Sequence, residues 1–399
     1  MENKSPIFCS LAFGSISIGP NGKYQPCCSS IGWENKGPLS NTNPIENINH
    51  PDLVQIRELL NKGEWPNSCI NCKSYEQSGG YSMRNSWNKE LRSCNISSEN
   101  IIDPLNIYRL DISLGSKCNS KCMTCHPFAS SLWNAEWEYI HGGKLQNNRV
   151  TSYEELEALA NSFPNVRSIG FLGGEPTIID EHLSFLKLLI DKGRSKNITI
   201  GYVTNLIGLS DELIELWKNF KEVHVAVSID GYKEVNDYIR YPVTWPKVEK
   251  NLRRYLTLAE GNPDQFRIGL SATLSVFNCR NFSDLLYFWC NITGEYNICS
   301  SVTMNRASLP PHTDILLLSK EYREPEIEKI KTLKQIYERR KDKLFFNSFD
   351  TIIDFLESPQ LTPVIEFCGL KDFIIKSDKF RNRNIKDYLP ELSNYLFGD

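Results

Sequence analysis

Three cysteines near residue 120 are the side chains of this chain best suited to chemistry. Cys118, Cys122 and Cys125 are spaced four and three residues apart in a loop rich in Ser, Asn and Lys. Iron-sulfur clusters are normally held by four cysteine thiolates. Three thiols on one cube would leave its fourth iron open to a small molecule that chelates through an amine and a carboxylate. The alternative is three unrelated buried thiols, since free cysteine is among the most buried residue types.

A second candidate site follows the apolar segment Ile169–Leu172. Gly173 and Gly174 would let the backbone turn sharply and approach a ligand closely, and Glu175 and Pro176 come next. Carboxylate and backbone carbonyl oxygens accept hydrogen bonds from an ammonium group. The alternative is an ordinary strand-to-helix turn, for which Gly-Gly and Pro are common.

The cysteine spacing and the segment Gly173–Pro176 together resemble the CxxxCxxC and GGEP motifs of the radical S-adenosylmethionine (radical SAM) superfamily. The resemblance implies a [4Fe-4S] cluster on the three cysteines, with S-adenosylmethionine on the open iron. It also implies reductive cleavage to a 5'-deoxyadenosyl radical that abstracts hydrogen from a substrate. A flavodoxin- or ferredoxin-type protein is the implied electron donor.

Polar residues that end the next two strands are candidate ligand contacts. Thr204 and Asn205 end one strand, and Ser228 and Asp230 end the other. Members of the family commonly place contacts to the ligand's carboxylate and ribose there. Arg240 ends a stretch similar to one in members with extra clusters, and its rigid fork of donors suits a carboxylate. The alternatives are cap or turn roles for the first four and a surface salt bridge for Arg240.

Five further cysteines lie in the first 72 positions, and four of them are candidate metal ligands: Cys9, Cys27, Cys69 and Cys72. A hairpin-turn signal, Gly19–Gly22, separates the first two. Two thiol pairs in a small domain suit a tetrahedral zinc site. They also resemble the CX(9-15)GX(4)C element and downstream cysteines of SPASM and twitch domains, which implies an auxiliary [4Fe-4S] cluster. One departure is the order, because in most such relatives this module follows the barrel.

The other cysteines lack partners at ligand spacing. Three roles are open for Cys28, which is adjacent to Cys27: a fifth metal ligand, a replacement for one of the four ligands, or a buried residue that binds no metal. The rest are expected in the core: Cys94, Cys279, Cys290, Cys299 and Cys368. Cys368 is the one to test further, because a lone cysteine in this superfamily can donate a hydrogen atom.

The charge balance and composition of the chain restrict the classes of partner that it is expected to bind and the compartment in which it is expected. The 399 residues include 45 basic and 48 acidic side chains, for a net charge of -3. This balance provides no broad basic face for nucleic acid or an anionic membrane, and no apolar run approaches the roughly 18 to 20 residues of a membrane span. Thirteen cysteines and a start without a signal peptide predict a reducing cytoplasm.

Short apolar segments alternate with amphipathic ones, which predicts βα units and a parallel sheet. The six predicted strands are Ile107–Leu114, Val166–Leu172, Ile198–Thr204, Val223–Ile229, Phe266–Leu274 and Ile298–Met304. Helices are predicted near residues 128–140, 181–193, 210–219, 246–259 and 281–290. In barrels of this kind the site lies at the carboxyl ends of the strands, where the candidate residues of the first site fall.

The predicted fold class is therefore α/β, with a partial (β/α)6 TIM-like barrel over residues 106–308. A small cysteine-rich, twitch-like domain of short strands and turns precedes it (residues 1–105), and a C-terminal helical extension follows (residues 309–399). The first 100 residues hold too little apolar sequence for a core of their own, so a metal is expected to staple them.

The predicted function is a radical SAM enzyme that oxidatively modifies a peptide or small-molecule substrate. Two alternatives remain: a redox-neutral radical SAM epimerase, and a non-catalytic binding protein stapled by zinc.

Overall fold

The structure, a computed structural model, describes residues 5–33, 36–40, 43–77, 80–94, 96–145, 149–338, 346–361 and 364–398. The strands within these ranges are β1 Ser15–Ile18, β2 Tyr24–Gln25, β3 Arg109–Ser113, β4 Ser168–Leu172, β5 Thr199–Thr204, β6 Glu222–Ser228, β7 Phe266–Leu274 and β8 Ser301–Arg306. The first eight helices are α1 Ser10–Gly14, α2 Pro44–Asn47, α3 Pro51–Lys62, α4 Ile70–Gln77, α5 Met83–Glu90, α6 Trp133–His141, α7 Tyr153–Ser162 and α8 Asp180–Asp191. The others are α9 Asp211–Trp217, α10 Glu234–Ile239, α11 Trp245–Gly261, α12 Phe282–Glu295, α13 Lys320–Glu338, α14 Phe346–Glu357, α15 Val364–Arg381 and α16 Pro390–Phe397.

The chain is a mixed α/β protein whose eight strands belong to one largely parallel sheet. The predicted α/β class is confirmed, and the six predicted strands correspond to β3–β8 with ends shifted by up to three residues. The predicted helical region at the C-terminal end is also present, as α13–α16.

The chain forms two compact units, each built from several segments. The first unit comprises residues 1–117, 148–201 and 212–222, and the second comprises residues 118–147, 202–211 and 223–399.

In the first unit, β1 lies between β2 and β3. It pairs in parallel with β3, with Ser15 opposite Arg109, and antiparallel with β2. The turn that joins β1 to β2 is the predicted Gly19–Gly22 hairpin, where Gly22 has a left-handed φ of 76°. Strand β4 then extends the parallel pairing on the other side of β3.

The N-terminal region differs from its prediction, because it holds five helices and two strands instead of short strands and turns. Helix α3 is the clearest example. It begins with His50 as N-cap and Pro51 in the first turn, and it ends at Gly63 with φ 78°. Its buried side chains include Leu53, Ile56 and Leu60, the spacing of one helical face. These start, stop and periodicity signals are all present in the sequence, between flanks rich in Asn and Gly that are more typical of turns.

In the second unit, β6, β7 and β8 pair in parallel, with Ser228 opposite Ser271 and Gly269 opposite Ser301. The alternation in β6 buries Val223, Val225 and Val227, and the helices α11 and α12 bury long apolar stripes. This packing fixes the end of β6, where two of the candidate site residues, Ser228 and Asp230, are found.

No helix in the described ranges has the length and apolar character needed to cross a membrane. The domain boundaries at residues 105 and 308 stay predictions.

Candidate functional site

The loop that carries Cys118, Cys122 and Cys125 is held by its backbone. The N–H groups of Lys121 and Met123 donate to the carbonyl oxygens of Tyr241 and Ile239, each at 2.7 Å. These bonds align the loop with the segment after α10. Buried backbone groups need hydrogen-bond partners. Because other backbone groups supply them here, the cysteine thiols are not needed to hold the loop.

Side chains from α6 and its approach hold the loop's carbonyl oxygens. The hydroxyl of Ser130 donates to the Ser120 carbonyl at 2.6 Å, and the indole N–H of Trp133 donates to the Cys122 carbonyl at 3.1 Å. Trp133 is itself fully buried, so a packed core element fixes the loop.

The structure brings the three thiols together. The Ser120 hydroxyl lies 3.4 Å from Cys118 Sγ and 3.6 Å from Cys122 Sγ. Burial raises the pKa of the Cys125 thiol, and the neighbouring Cys122 and Cys118 raise it further, whereas Arg240 lowers it. Three crowded thiols become thiolates most readily when a cation binds them.

Arg240 lies beside these thiols, and its side chain is 12% exposed. Its Nη1 donates to Asp230 Oδ2 at 2.5 Å. Within the described part of the chain, its buried Nε has no hydrogen-bond partner. The exposed salt bridge considered from the sequence is therefore replaced by a largely buried pair in which one arginine donor is unused.

Asn205 also reaches the cysteine loop. Its amide nitrogen donates to Asn119 Oδ1 at 2.6 Å, while its Oδ1 accepts from the Ile207 N–H at 3.0 Å. Thr204 Oγ1 accepts from the Leu206 N–H at 2.9 Å, which is a turn role. Ser228 is the half-buried last residue of β6. Asn205, Asp230 and Arg240 thus lie in one unit with the three cysteines.

The Gly173–Pro176 segment lies in the other unit, directly after β4. Both glycines have left-handed φ values, 76° and 56°. A Cβ on Gly173 would clash with Ser113 Oγ, and one on Gly174 would clash with the Lys117 carbonyl. Only glycine suits these positions.

Glu175 continues this turn and is 1% exposed. Its N–H donates to the Lys117 carbonyl at 2.9 Å, and its Oε1 accepts from Thr177 Oγ1 at 2.6 Å. The carboxylate therefore caps the short helix that Pro176 begins. A turn role is present, as the simpler sequence interpretation predicted, and a ligand role for Glu175 stays a prediction.

The four N-terminal cysteines come together in the first unit. Burial, and then the neighbouring Cys9, raise the pKa of Cys69 to about 12. Burial also raises the pKa of Cys9, and Cys72 acts in the same direction. Burial raises the pKa of Cys27 as well, and Cys28, Cys9 and Cys69 raise it further. The four thiols are therefore close enough to interact electrostatically, as the ligands of one metal centre must be.

Arg84 and Asn88 hold the Cys9 segment. Arg84 forms a two-point ion pair with Glu76, at 2.5 and 2.9 Å, and donates to the Phe8 carbonyl at 2.7 Å. Asn88 donates to the same carbonyl at 2.8 Å and accepts from the Ser10 N–H at 2.7 Å. Arg84 is buried, not the exposed charge of a solvated turn.

The remaining cysteines divide between the core and the surface. Cys94, Cys279 and Cys290 are buried as expected, but Cys299 and Cys368 are exposed, so the core prediction is wrong for those two. Cys28 Sγ lies 3.8 Å from Met83 Sδ. Burial and the Asp111 carboxylate raise its pKa to about 12.

Sequence reasoning missed several residues that surround the first site. Trp133 and Glu136 lie one turn apart on α6, a spacing that indicates a shared face. Arg381 and Lys121 both contact Glu136. No local pattern marks Arg381, which is far from the loop in sequence.

The donor sets fit iron-sulfur clusters in their chemistry. Among the described residues, no three His, Cys, Asp or Glu side chains are arranged around a single metal ion. A four-iron cube is wider than one ion, so its thiolates need not converge on a point. At the first site, the cationic Arg240 and its unpaired Nε–H suit an anionic cluster and its ligand.

Residues 112–258 match the family model of the radical SAM superfamily. This stretch, 147 of the 399 residues, is therefore similar to radical SAM domains. The matched range includes the three cysteines at 118, 122 and 125 and every other candidate of the first site, whereas the four N-terminal cysteines lie outside it.

Solved structures similar to part of this chain include "Native anSMEcpe with bound AdoMet", with 20% identity and a TM-score of 0.41 over 67% of this chain and 66% of that chain. "Crystal structure of Streptococcus suis SuiB bound to S-adenosylmethionine" has 16% identity and a TM-score of 0.40 over 71% and 62%. "Crystal structure of Streptococcus suis SuiB bound to precursor peptide SuiA" has 13% identity and a TM-score of 0.36 over 83% and 67%. This chain spans about three fifths to two thirds of the length of the structures it matches.

Proposed function

We propose that this protein is a radical SAM enzyme that abstracts hydrogen from a peptide or small-molecule substrate in an oxidative modification. The observation that carries the proposal is the cysteine loop, in which three crowded thiols share a firmly held backbone. The match of residues 112–258 to the radical SAM family model supports the same assignment.

In this proposal, Cys118, Cys122 and Cys125 hold a [4Fe-4S] cluster with one open iron. With S-adenosylmethionine bound, that cluster supplies an electron for sulfonium cleavage to methionine and a hydrogen-abstracting 5'-deoxyadenosyl radical. A flavodoxin- or ferredoxin-type donor would provide the electron in a reducing cytoplasm.

The chain's own residues orient the ligand. Arg240 offers its free Nε–H to a carboxylate or sulfide, and Asp230 keeps the guanidinium in place. Asn205 supports the loop from the end of β5. Thr204 and Ser228 are proposed as further ligand contacts. Gly173, Gly174, Glu175 and Pro176 are proposed to bind the ligand's ammonium group through a backbone that side chains would block.

For the second site, we propose that Cys9, Cys27, Cys69 and Cys72 hold an auxiliary [4Fe-4S] cluster in a twitch-like module. The pKa values of Cys9, Cys27 and Cys69 are each raised by other thiols of this group, which supports a common centre. Such a cluster would supply an acceptor for the second electron that a net oxidation removes after hydrogen abstraction. A redox-neutral epimerisation needs no such acceptor but does need a hydrogen donor.

The deciding experiment is anaerobic incubation of the full chain with S-adenosylmethionine and a low-potential reductant, followed by quantification of 5'-deoxyadenosine. The product is expected from the wild type and from Cys299→Ala, which removes an exposed thiol. Cys118→Ala, Cys122→Ala and Cys125→Ala should each reduce it to background. A colourless, zinc-containing wild type, or product formation without the three thiols, would refute the assignment.

A further inference from the structure

Helix α15 ends at a buried arginine that contacts the cysteine loop directly. Arg381 Nη2 donates to the Lys121 carbonyl at 2.9 Å, and Nη1 lies 3.1 Å from Met123 Sδ. Its side chain is 2% exposed. Arg381, a residue of the C-terminal helices, therefore contacts the central residues of the loop that bears Cys118, Cys122 and Cys125.

Glu136 neutralises only part of the charge at this point. Arg381 Nε donates to both of its carboxylate oxygens, at 2.8 and 3.1 Å, and Lys121 Nζ lies 2.7 Å from Oε2. The Glu136 side chain is fully buried and that of Lys121 is 12% exposed. Two more charged groups are near: Arg383 faces the Tyr241 ring that Arg381 and Lys121 also face, and Asp378 interacts electrostatically with both arginines. The three cations and two carboxylates leave one net positive charge next to the loop, where partial burial strengthens its effect.

The aromatic surroundings hold the two cations in place. The Arg381 guanidinium lies 4.9 Å from the Trp133 ring centre, and Lys121 Nζ lies 4.6 Å from that of Phe380. Trp133 also donates to the Cys122 carbonyl. The arginine, the loop and the first turn of α6 are thus one packed group.

The hydrogen-bond pattern of the loop shows what Arg381 adds. Three consecutive carbonyls, those of residues 120, 121 and 122, accept from side chains. Ser130 and Trp133, which are close to the loop in sequence, donate to the carbonyls of residues 120 and 122. Arg381, which is far away in sequence, donates to the carbonyl of Lys121 between them. Without it, the Lys121 carbonyl and the Glu136 carboxylate would each lose a buried partner, a costly change.

We infer that Arg381 is a positioning residue for the cluster that the loop is proposed to hold, so that helix α15 supports the active site from outside it. This inference rests on the proposed function. Arg381 keeps the loop in the conformation that receives the cluster, and its charge favours the more negative, reduced form. It touches neither substrate nor cofactor in this role.

The test compares Arg381→Gln, Arg381→Lys and the control Lys379→Gln, which removes an exposed cation from the same helix. Each full-length protein is loaded with iron and sulfide, and the cluster is identified as the one whose EPR signal changes when S-adenosylmethionine is added. The measurements are the rate of iron release to a chelator and the midpoint potential of that signal.

Arg381→Gln should release iron from this cluster faster than wild type and shift its potential to a more negative value. Arg381→Lys should release iron faster at an unchanged potential, because it keeps the charge and loses the forked hydrogen bonds. Lys379→Gln should match wild type in both measurements.

Wild-type release rates and potentials in both Arg381 variants would overturn the inference. If Arg381→Gln fails to fold, the release rate of Arg381→Lys decides alone, with faster release in favour and a wild-type rate against. A wild type that loads no cluster sensitive to S-adenosylmethionine would refute the proposed function instead, so the two failures are distinct.

Discussion

Asp230 and Arg240 form a largely buried ion pair, in which the carboxylate is held both by the guanidinium and by the backbone. Asp230 Oδ2 accepts from Arg240 Nη1 at 2.5 Å, and Oδ1 accepts from the Thr273 N–H at 2.8 Å. The Asp230 carbonyl also accepts from Asn278 at 2.7 Å. The end of β6 and the start of the next turn thus fix the guanidinium beside the cysteine loop.

Replacing Asp230 by Asn should destabilise the protein by about 3 to 5 kcal/mol, because Arg240 would keep a buried charge without its partner. Chemical denaturation at pH 7 measures the change. The control is Glu328→Gln, which breaks an exposed i,i+3 pair with Lys331 and should cost at most about 1 kcal/mol. An equal loss in both variants would contradict a special role for the buried pair.

Gly173→Ala should cost more stability than Gly32→Ala. Both glycines have left-handed φ values, 76° and 67°, so each substitution carries a backbone penalty of about 1 to 2 kcal/mol. Only at Gly173 would the new Cβ also clash, with Ser113 Oγ, whereas at Gly32 no described atom lies within 4 Å of it. The measurement is the free energy of unfolding. Adding Ser113→Gly to Gly173→Ala should recover part of the difference, and no recovery would argue against the clash.

Cys72→Ala should reduce the iron content of the reconstituted protein from about eight to about four per chain, since one of two four-iron cubes would be lost. Cys28→Ala should keep about eight, because four other thiols are proposed as the ligands. Iron and zinc analysis after anaerobic reconstitution checks both variants. Zinc in the wild type that disappears in Cys72→Ala would support the tetrahedral zinc site instead.

His182 should make the protein less stable as the pH falls below about 6.5. Its side chain is buried against Phe171, with ring centres 4.7 Å apart, and burial lowers its pKa to about 3. Between these values the unfolded chain binds a proton that the folded chain does not. The contribution to the free energy of unfolding is therefore complete above pH 6.5 and about 2 kcal/mol smaller at pH 5.

His182→Gln removes this titration, so denaturation midpoints at pH 7.5 and 5.0 should differ less in the variant than in wild type. Other titrating groups are common to both proteins and cancel in the comparison. Parallel pH profiles for the two proteins would contradict the assignment to His182.

The strands were predictable because their signals are local, and the candidates of the first site were predicted from signals of the same kind. Alternating or continuous apolar runs mark β3–β8, and the cysteine, GGEP and strand-end residues each occupy a few consecutive positions. The hairpin at Gly19–Gly22 follows from a turn motif in the same way.

Long-range partners were not predictable. Arg381 and Arg84 have no distinctive sequence context, and their roles arise from carboxylates and carbonyls that the fold brings to them. The exposed position of Cys368 depends on which face of α15 packs inward, and the weak periodicity of α15 gives little guidance on this. Cys299 lies in the loop between α12 and β8, where no periodic pattern marks exposure.

The parallel pairing of β1 with β3 has a consequence for anyone who wishes to excise the N-terminal region. A fragment that begins near residue 106 would retain β3 but strip one side of it, baring four positions that now face β1, from Arg109 to Ile112. The unpaired N–H and C=O groups of an exposed strand edge tend to pair with strands of other chains. Such a fragment would tend to precipitate, and its inactivity would then reflect self-association and not the loss of a redox centre.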